Sequence, residues 1–157
     1  MSTTIKFMRQ AVQISKEKME ANFGGPFGAV IVKNGKVIAE GFNQVTSSND
    51  PTAHAEVTAI RAACKVLNTF DLDGCEIYTS CEPCPMCLAA IYWARLDKIY
   101  FTNTRADAAE IGFDDAHIYE EIPKALHQRT IPIEHIPLEE AKKVFQDWQD
   151  KEDKTLY

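Results

Sequence analysis

Apolar residues fall at Ile5, Met8, Val12, Met19 and Phe23 along a charged N-terminal stretch, close to helical spacing. This predicts a helix over residues 4–23, ended by Gly24-Gly25-Pro26. The pattern then changes period. Residues 27–33 form a β-rich run, Asn34-Gly35 is a two-residue hairpin signal, and residues 36–42 read as the returning strand. A polar loop, 43–49, leads to Asp50-Pro51, which reads as an N-cap with proline in the first helical turn. That helix runs through Ala55, Ile60 and Ala63 to about Leu67. Short strands at 76–80 and 98–102 flank a helix opened by Cys84-Pro85 and carrying Leu88, Ile91 and Trp93. Beyond them the pattern gives a helical stretch at 107–111, a short segment around Ile118, a strand at 131–136 and a last helix over 137–148. Leu138, Ala141, Phe145 and Trp148 share one face of that helix. A hairpin followed by alternating helices and strands predicts an α/β fold, a three-layer α/β/α sandwich with helices on both faces of the sheet.

Composition narrows this little but usefully. At 157 residues, with no repeat, low-complexity tract or linker, the chain reads as a single domain spanning 1–157. The hydrophobic share of 45% and charged share of 25% are those of a soluble globular protein. A net charge of −6 argues against a protein built to grip polyanions, so no nucleic-acid partner is expected. No apolar run reaches membrane-spanning length and no secretory leader pattern is present, so no membrane partner is expected either. Five cysteines, three of them crowded into residues 81–87, suit a reducing compartment, with the cytoplasm as the default.

Those cysteines carry the chemistry. His54-Ala55-Glu56 is followed by Pro83-Cys84-Pro85-Met86-Cys87. His54, Cys84 and Cys87 offer one imidazole and two thiolates, a three-ligand set that leaves the fourth position of a zinc ion to water. Such a water ionises near neutral pH, and Glu56 is placed to carry its protons. The histidine–glutamate and proline–cysteine pair of motifs is the signature of zinc nucleobase deaminases. Cys84 and Cys87 lie three apart, hence on one helix face, and at a helix start both are favoured as thiolates. The competing reading is a closed structural zinc site that adds Cys81. Cys81 precedes Glu82-Pro83, which suits a strand end, and a structural site gives no reason for Glu56. One tension stands: residues two apart on a regular helix point about 200° away from each other, yet His54 and Glu56 must share one site.

The chain resembles the cytidine deaminase superfamily over most of its length. The blocks Asp50-Pro-Thr-Ala-His-Ala-Glu56 and Thr79-Ser-Cys-Glu-Pro-Cys-Pro-Met-Cys87 are similar to its purine-base branch. The segments Ile91-Tyr-Trp-Ala-Arg95 and Gly112-Phe-Asp-Asp-Ala-His-Ile-Tyr119, with a short tail ending in tyrosine, resemble the small bacterial guanine deaminases. The resemblance implies a five-stranded mixed sheet, one zinc per subunit, a homodimer, and hydrolysis of guanine to xanthine and ammonia. It also implies that the tail, residues 151–157, closes over a site, either its own or, in a swapped arrangement, that of the neighbouring subunit.

Guanine presents N1–H and a 2-amino group side by side, a donor pair suited to a carboxylate. Asp114 and Asp115 are candidates, and the resemblance favours Asp115, with a further role in passing a proton to the leaving amine; without the resemblance the pair reads first as a loop or helix cap. Asn43 has both a donor and an acceptor for ring edges. Phe27 and Trp93 are flat enough to stack on a base, with Trp93 the preferred ring, though aromatics at such spacing are more often core. Tyr157 is the tail's contribution. Cys64 and Cys75 read as small buried hydrophobes. Two other substrates compete: a tRNA adenosine, against which the acidic Glu139-Glu140 helix and the Asp150, Glu152 and Asp153 tail argue, and cytosine or another small heterocycle.

Overall fold

Ser2 starts the first helix, α1 (Thr3–Glu20): its hydroxyl accepts the Ile5 amide at 3.4 Å. Asn22, at φ 61°, turns the chain out after the last turn. The structure, a computed structural model, describes residues 2–157, which divide into two compact units, one running to Ala116 and the other His117–Tyr157. The buried stripe of α1 is Phe7, Ala11 and Ile14. Ile5, Val12 and Met19, the stripe suggested by apolar spacing, lie on its exposed side. The helix has two apolar stripes, and the one with a small residue at its centre faces the sheet because the approach there is very close. A Cβ added at Gly28 would stand 2.4 Å from the Ala11 carbonyl oxygen.

The sheet has four strands, β1 (Gly28–Lys33), β2 (Lys36–Phe42), β3 (Cys75–Cys81) and β4 (Lys98–Asn103), in the order β2-β1-β3-β4. β1 is antiparallel to both neighbours, whereas β3 and β4 are parallel and joined through a helix, so the sheet is mixed. Asn34 and Gly35 both take positive φ, as the tight β1–β2 hairpin requires. Alternation along β1 feeds two cores. Ala29 and Ile31 join Ala39, Ala55, Ala59, Ile77 and Ile91, while Val30 and Val32 join Phe7, Ala11, Ile14 and Tyr78. The first cluster is closed by α3 (Ala55–Leu67) and α4 (Pro85–Trp93), the second by α1, which gives the three expected layers.

The fifth strand expected at 131–136 is absent. Among the described residues no strand pairs with that segment, and Ile131 and Ile136 are 77% and 72% exposed. Pro132 removes one ladder donor from the run. The helix foreseen from Asp50-Pro51 also begins later. Asp50 instead closes a turn on Thr52, accepting its amide at 2.8 Å and its hydroxyl at 2.6 Å. The 43–49 loop contains one helical turn, α2 (Val45–Ser48), and α3 starts only after His54.

After β4 comes α5 (Arg105–Glu110), begun by a reciprocal Thr104–Asp107 capping box. Then follow α6 (Ala116–Glu121), a 3₁₀ turn at Leu126–Gln128, and α7 (Glu139–Asp150). In the unit His117–Tyr157 no residue is buried. What knits it is polar: Glu121 accepts from the Thr130 amide and hydroxyl and from Lys124, and Arg129 Nη2 donates to the Ile122 carbonyl at 3.0 Å. Among the described residues no helix is long and apolar enough to cross a membrane.

Candidate active site

His54 is not on the helix that follows it. It is the N-cap of α3, in extended backbone (φ −69°, ψ 158°), with Glu56 in the first turn. The 200° conflict therefore disappears, because the periodicity that separates residues two apart does not apply across a cap. Cys84 plays the same part for α4, with φ −66° and ψ 169°, and Pro85 occupies the first helical position, where its missing amide costs nothing. Two helix starts thus meet, one bringing an imidazole and the other two thiols.

His54 Nδ1 stands 3.5 Å from Cys84 Sγ and 3.5 Å from Cys87 Sγ, and all three ligand atoms lie within 4.8 Å of one another. A tetrahedral zinc with ordinary bond lengths would separate nitrogen from sulfur by about 3.6 Å. The donor set and its spacing fit that ion. Cys81 is outside the group. Its thiol donates to the Thr104 carbonyl at 3.7 Å, and burial pushes its pKa up to about 11. The closed structural alternative fails on this point.

The sulfurs divide one proton unequally. The Cys87 thiol hydrogen-bonds Cys84 and holds it down at about 4, with His54 assisting; the same bond holds Cys87 well up. The hydrogen bond to Cys84 raises His54. Glu56 is 6% exposed, and burial lifts its carboxyl above the usual range. A carboxyl shifted in that direction holds a proton more readily than an exposed one, which suits a group that must carry a proton between water and substrate.

Around this centre the expected residues separate. Asn43 is buried just past β2. Its Oδ1 accepts the amides of Gly25 at 3.2 Å and Val45 at 3.1 Å, so only the Nδ2 donors remain of the donor–acceptor pair expected from sequence. Gly24 is required here, since a Cβ on it would fall 2.3 Å from Asn43 Oδ1. The Phe27 ring meets Phe113 edge-on, centroids 4.9 Å apart. Phe113 was not singled out from sequence; its place beside Gly112 and two aspartates was the available signal. Asp115 is half-buried and its carboxyl is raised, first by burial and then by the Cys84 charge, with Arg105 opposing. Asp114 is exposed and accepts the Ala116 amide at 2.9 Å, the capping role the pair can also play. Trp93 ends α4 at the opposite end from Cys84 and is 68% exposed. Tyr157 belongs to the second unit and is 72% exposed. Cys75 is core and Cys64 half-buried against it.

A mixed sheet carrying a histidine and two cysteines at adjoining helix starts, with a buried glutamate two residues beyond the first cap, defines a zinc-dependent hydrolytic deaminase centre. The chain belongs to the family of the cytidine and deoxycytidylate deaminase zinc-binding region, whose model matches residues 1–103. A guanine deaminase of Bacillus subtilis is 57% identical over 151 residues, 96% of this chain and 97% of that one. The X-ray structure of guanine deaminase from that organism superposes with a TM-score of 0.95, covering 97% of each chain at 56% identity. A tRNA-specific adenosine deaminase of Aquifex aeolicus is 37% identical over 142 residues, 90% of this chain and 91% of that one.

Proposed function

We propose that this chain hydrolyses guanine to xanthine and ammonia. The observation that carries the reading is the buried Glu56 beside the ligand triangle of His54, Cys84 and Cys87, in a chain alike along nearly its whole length to a guanine deaminase. Zinc, when bound by those three residues, supplies the Lewis acid that ionises water. Glu56 takes the proton of that water and delivers it to ring N3, which makes C2 the electrophile. After addition at C2, Glu56 takes the second proton from the new C2 hydroxyl and passes it to the 2-amino nitrogen; the C2–N bond breaks, ammonia leaves and the C2 carbonyl of xanthine forms, with N3 keeping the first proton.

The remaining residues hold the base. Asp115 accepts from N1–H and the 2-amino group and helps protonate the leaving amine, a role supported by its raised carboxyl and its coupling to Cys84. Asn43 offers Nδ2 to an acceptor on the purine edge. Phe27, backed by Phe113, has the better support as the stacking ring; Trp93 and Tyr157 are read as contacts made in the assembled protein, and Asp114 as the turn that aims Asp115.

The assembly is read as a homodimer with an exchanged tail. Phe145, Leu156 and Tyr157 are 80%, 73% and 72% exposed in a unit with no buried residue, which supports a partner surface for them. All five cysteines are free, which supports a reducing cytoplasm. Acidic Glu139, Glu140, Asp147 and Asp150 on α7 weigh against RNA as substrate. The test is an ultraviolet assay of zinc-loaded protein with guanine, following xanthine and ammonia. Turnover supports the reading, and its absence with guanine but presence with cytosine or tRNA adenosine overturns it.

A further inference from the structure

Glu82 joins the zinc loop to the arm that carries Asp115. It stands between Cys81, the end of β3, and Pro83-Cys84. Its amide donates to the Asn103 carbonyl at 2.8 Å, and its Oε2 accepts the Arg105 amide at 3.0 Å. Cys81 Sγ donates to the carbonyl of the intervening Thr104. Residues 103, 104 and 105 are therefore each held by 81 or 82, at the point where β4 turns into α5. Arg105 is the first residue of α5, and its amide has no partner within that helix. From there the six-residue α5 leads through Gly112 to Phe113, which meets Phe27, and to Asp115.

Two neighbouring features make this attachment matter. Asp115 senses the charges of both Arg105 and Cys84, which puts the arm's two ends and the metal loop within electrostatic reach of one another. The arm itself is thinly held: every residue from 105 to 116 except Ala108, Ala109 and Asp115 is exposed. With so little burial, hydrogen bonds at its root set where its far end lies.

We propose that Glu82 is a positioning residue, its carboxylate fixing the start of α5 so that Asp115 is held in register with the metal ligands. It touches neither substrate nor metal; its effect passes through Arg105 and the arm. The claim rests on the reading of Asp115 as the base-binding carboxylate given above.

The experiment compares Glu82→Ala with Glu82→Gln in the zinc-loaded full chain. Glutamine keeps an oxygen that can accept the Arg105 amide, whereas alanine does not. Hydrogen exchange should quicken in Glu82→Ala across residues 104–116 while the β1–β3 core stays protected and zinc content is unchanged. The kcat/KM for guanine should fall about tenfold or more, and Glu82→Gln should restore both readouts. Exchange in the arm unchanged by alanine, or raised throughout the molecule with zinc lost, overturns the proposal. So does full guanine activity in Glu82→Ala. Local exchange that responds as stated, in a protein that never turns over guanine, would instead sink the reading of the substrate and leave the coupling standing.

Discussion

A single extended residue settles how the site is built. Because His54 caps α3 rather than belonging to it, Glu56 can be buried beside the ligands and still begin a regular helix. Replacing Glu56 by glutamine keeps its shape and removes its proton chemistry. Turnover of guanine should fall roughly 10²- to 10⁴-fold with one zinc still bound, as read by steady-state rates beside metal analysis. An equal loss of zinc would show Glu56 to be a support rather than the proton carrier. At this scale the sequence was informative where chemistry needs particular atoms: imidazole, thiolate and carboxylate announced themselves by type and spacing. It was silent where a role depends on orientation. Nothing in the chain tells that Asn43 spends its oxygen on Gly25 and Val45, or that Phe27 has Phe113 against it.

Elements are held at their distances by two glycines on opposite faces of the sheet. A methyl group at Gly41 would stand 2.2 Å from the Ala55 carbonyl oxygen and 2.4 Å from the Ala59 amide of α3; one at Gly28 would strike α1. Both obstacles are backbone, so a helix must move. Gly28→Ala and Gly41→Ala should each destabilise by about 1–3 kcal/mol in urea unfolding. They should differ at the site: Gly41→Ala displaces the helix that starts at His54 and should weaken zinc binding in a chelator competition, whereas Gly28→Ala should not. Gly35→Ala meets no atom but keeps a positive φ of 72°, so only the turn is strained. A different force holds residues 121–130. Lys124, then the Thr130 amide, keeps the Glu121 carboxyl down at about 2. Its folded value lies below the unfolded one, so this support is complete above the ordinary carboxylate range and is lost as pH falls towards 2. The Thr130 amide signal in NMR should titrate with that low midpoint and not near 4.5. Periodicity located nearly every helix and strand, yet it misjudged the buried stripe of α1 and supplied a strand at 131–136. Both errors have one source: spacing reports what could be buried, and only a neighbour decides what is.

For the whole molecule the question is what lies over the apolar side chains of the last forty or so residues. If the tail acts on a second copy, deleting residues 151–157 should lower activity while zinc content and the unfolding curve hold. Mixing that truncated chain with full-length Glu56→Gln should then restore turnover, since one chain brings an intact site and the other an intact tail. No recovery on mixing would place closure within one chain. Removing zinc with a chelator should lower the melting temperature without dispersing the core, because the two clusters around β1 contain none of His54, Cys84 and Cys87.

The cap at His54 also says which changes of length the chain can absorb. One residue added ahead of Thr52 would fall in a turn on the surface, where a loop can bulge. One residue added between His54 and Glu56 would advance everything after it by about 100° around the axis of α3. The carboxylate would swing away from the histidine, and the alanines that pack α3 against the sheet would turn out of the core with it. The interval of one residue between ligand and proton carrier is thus fixed more tightly than the identity of the alanine that fills it.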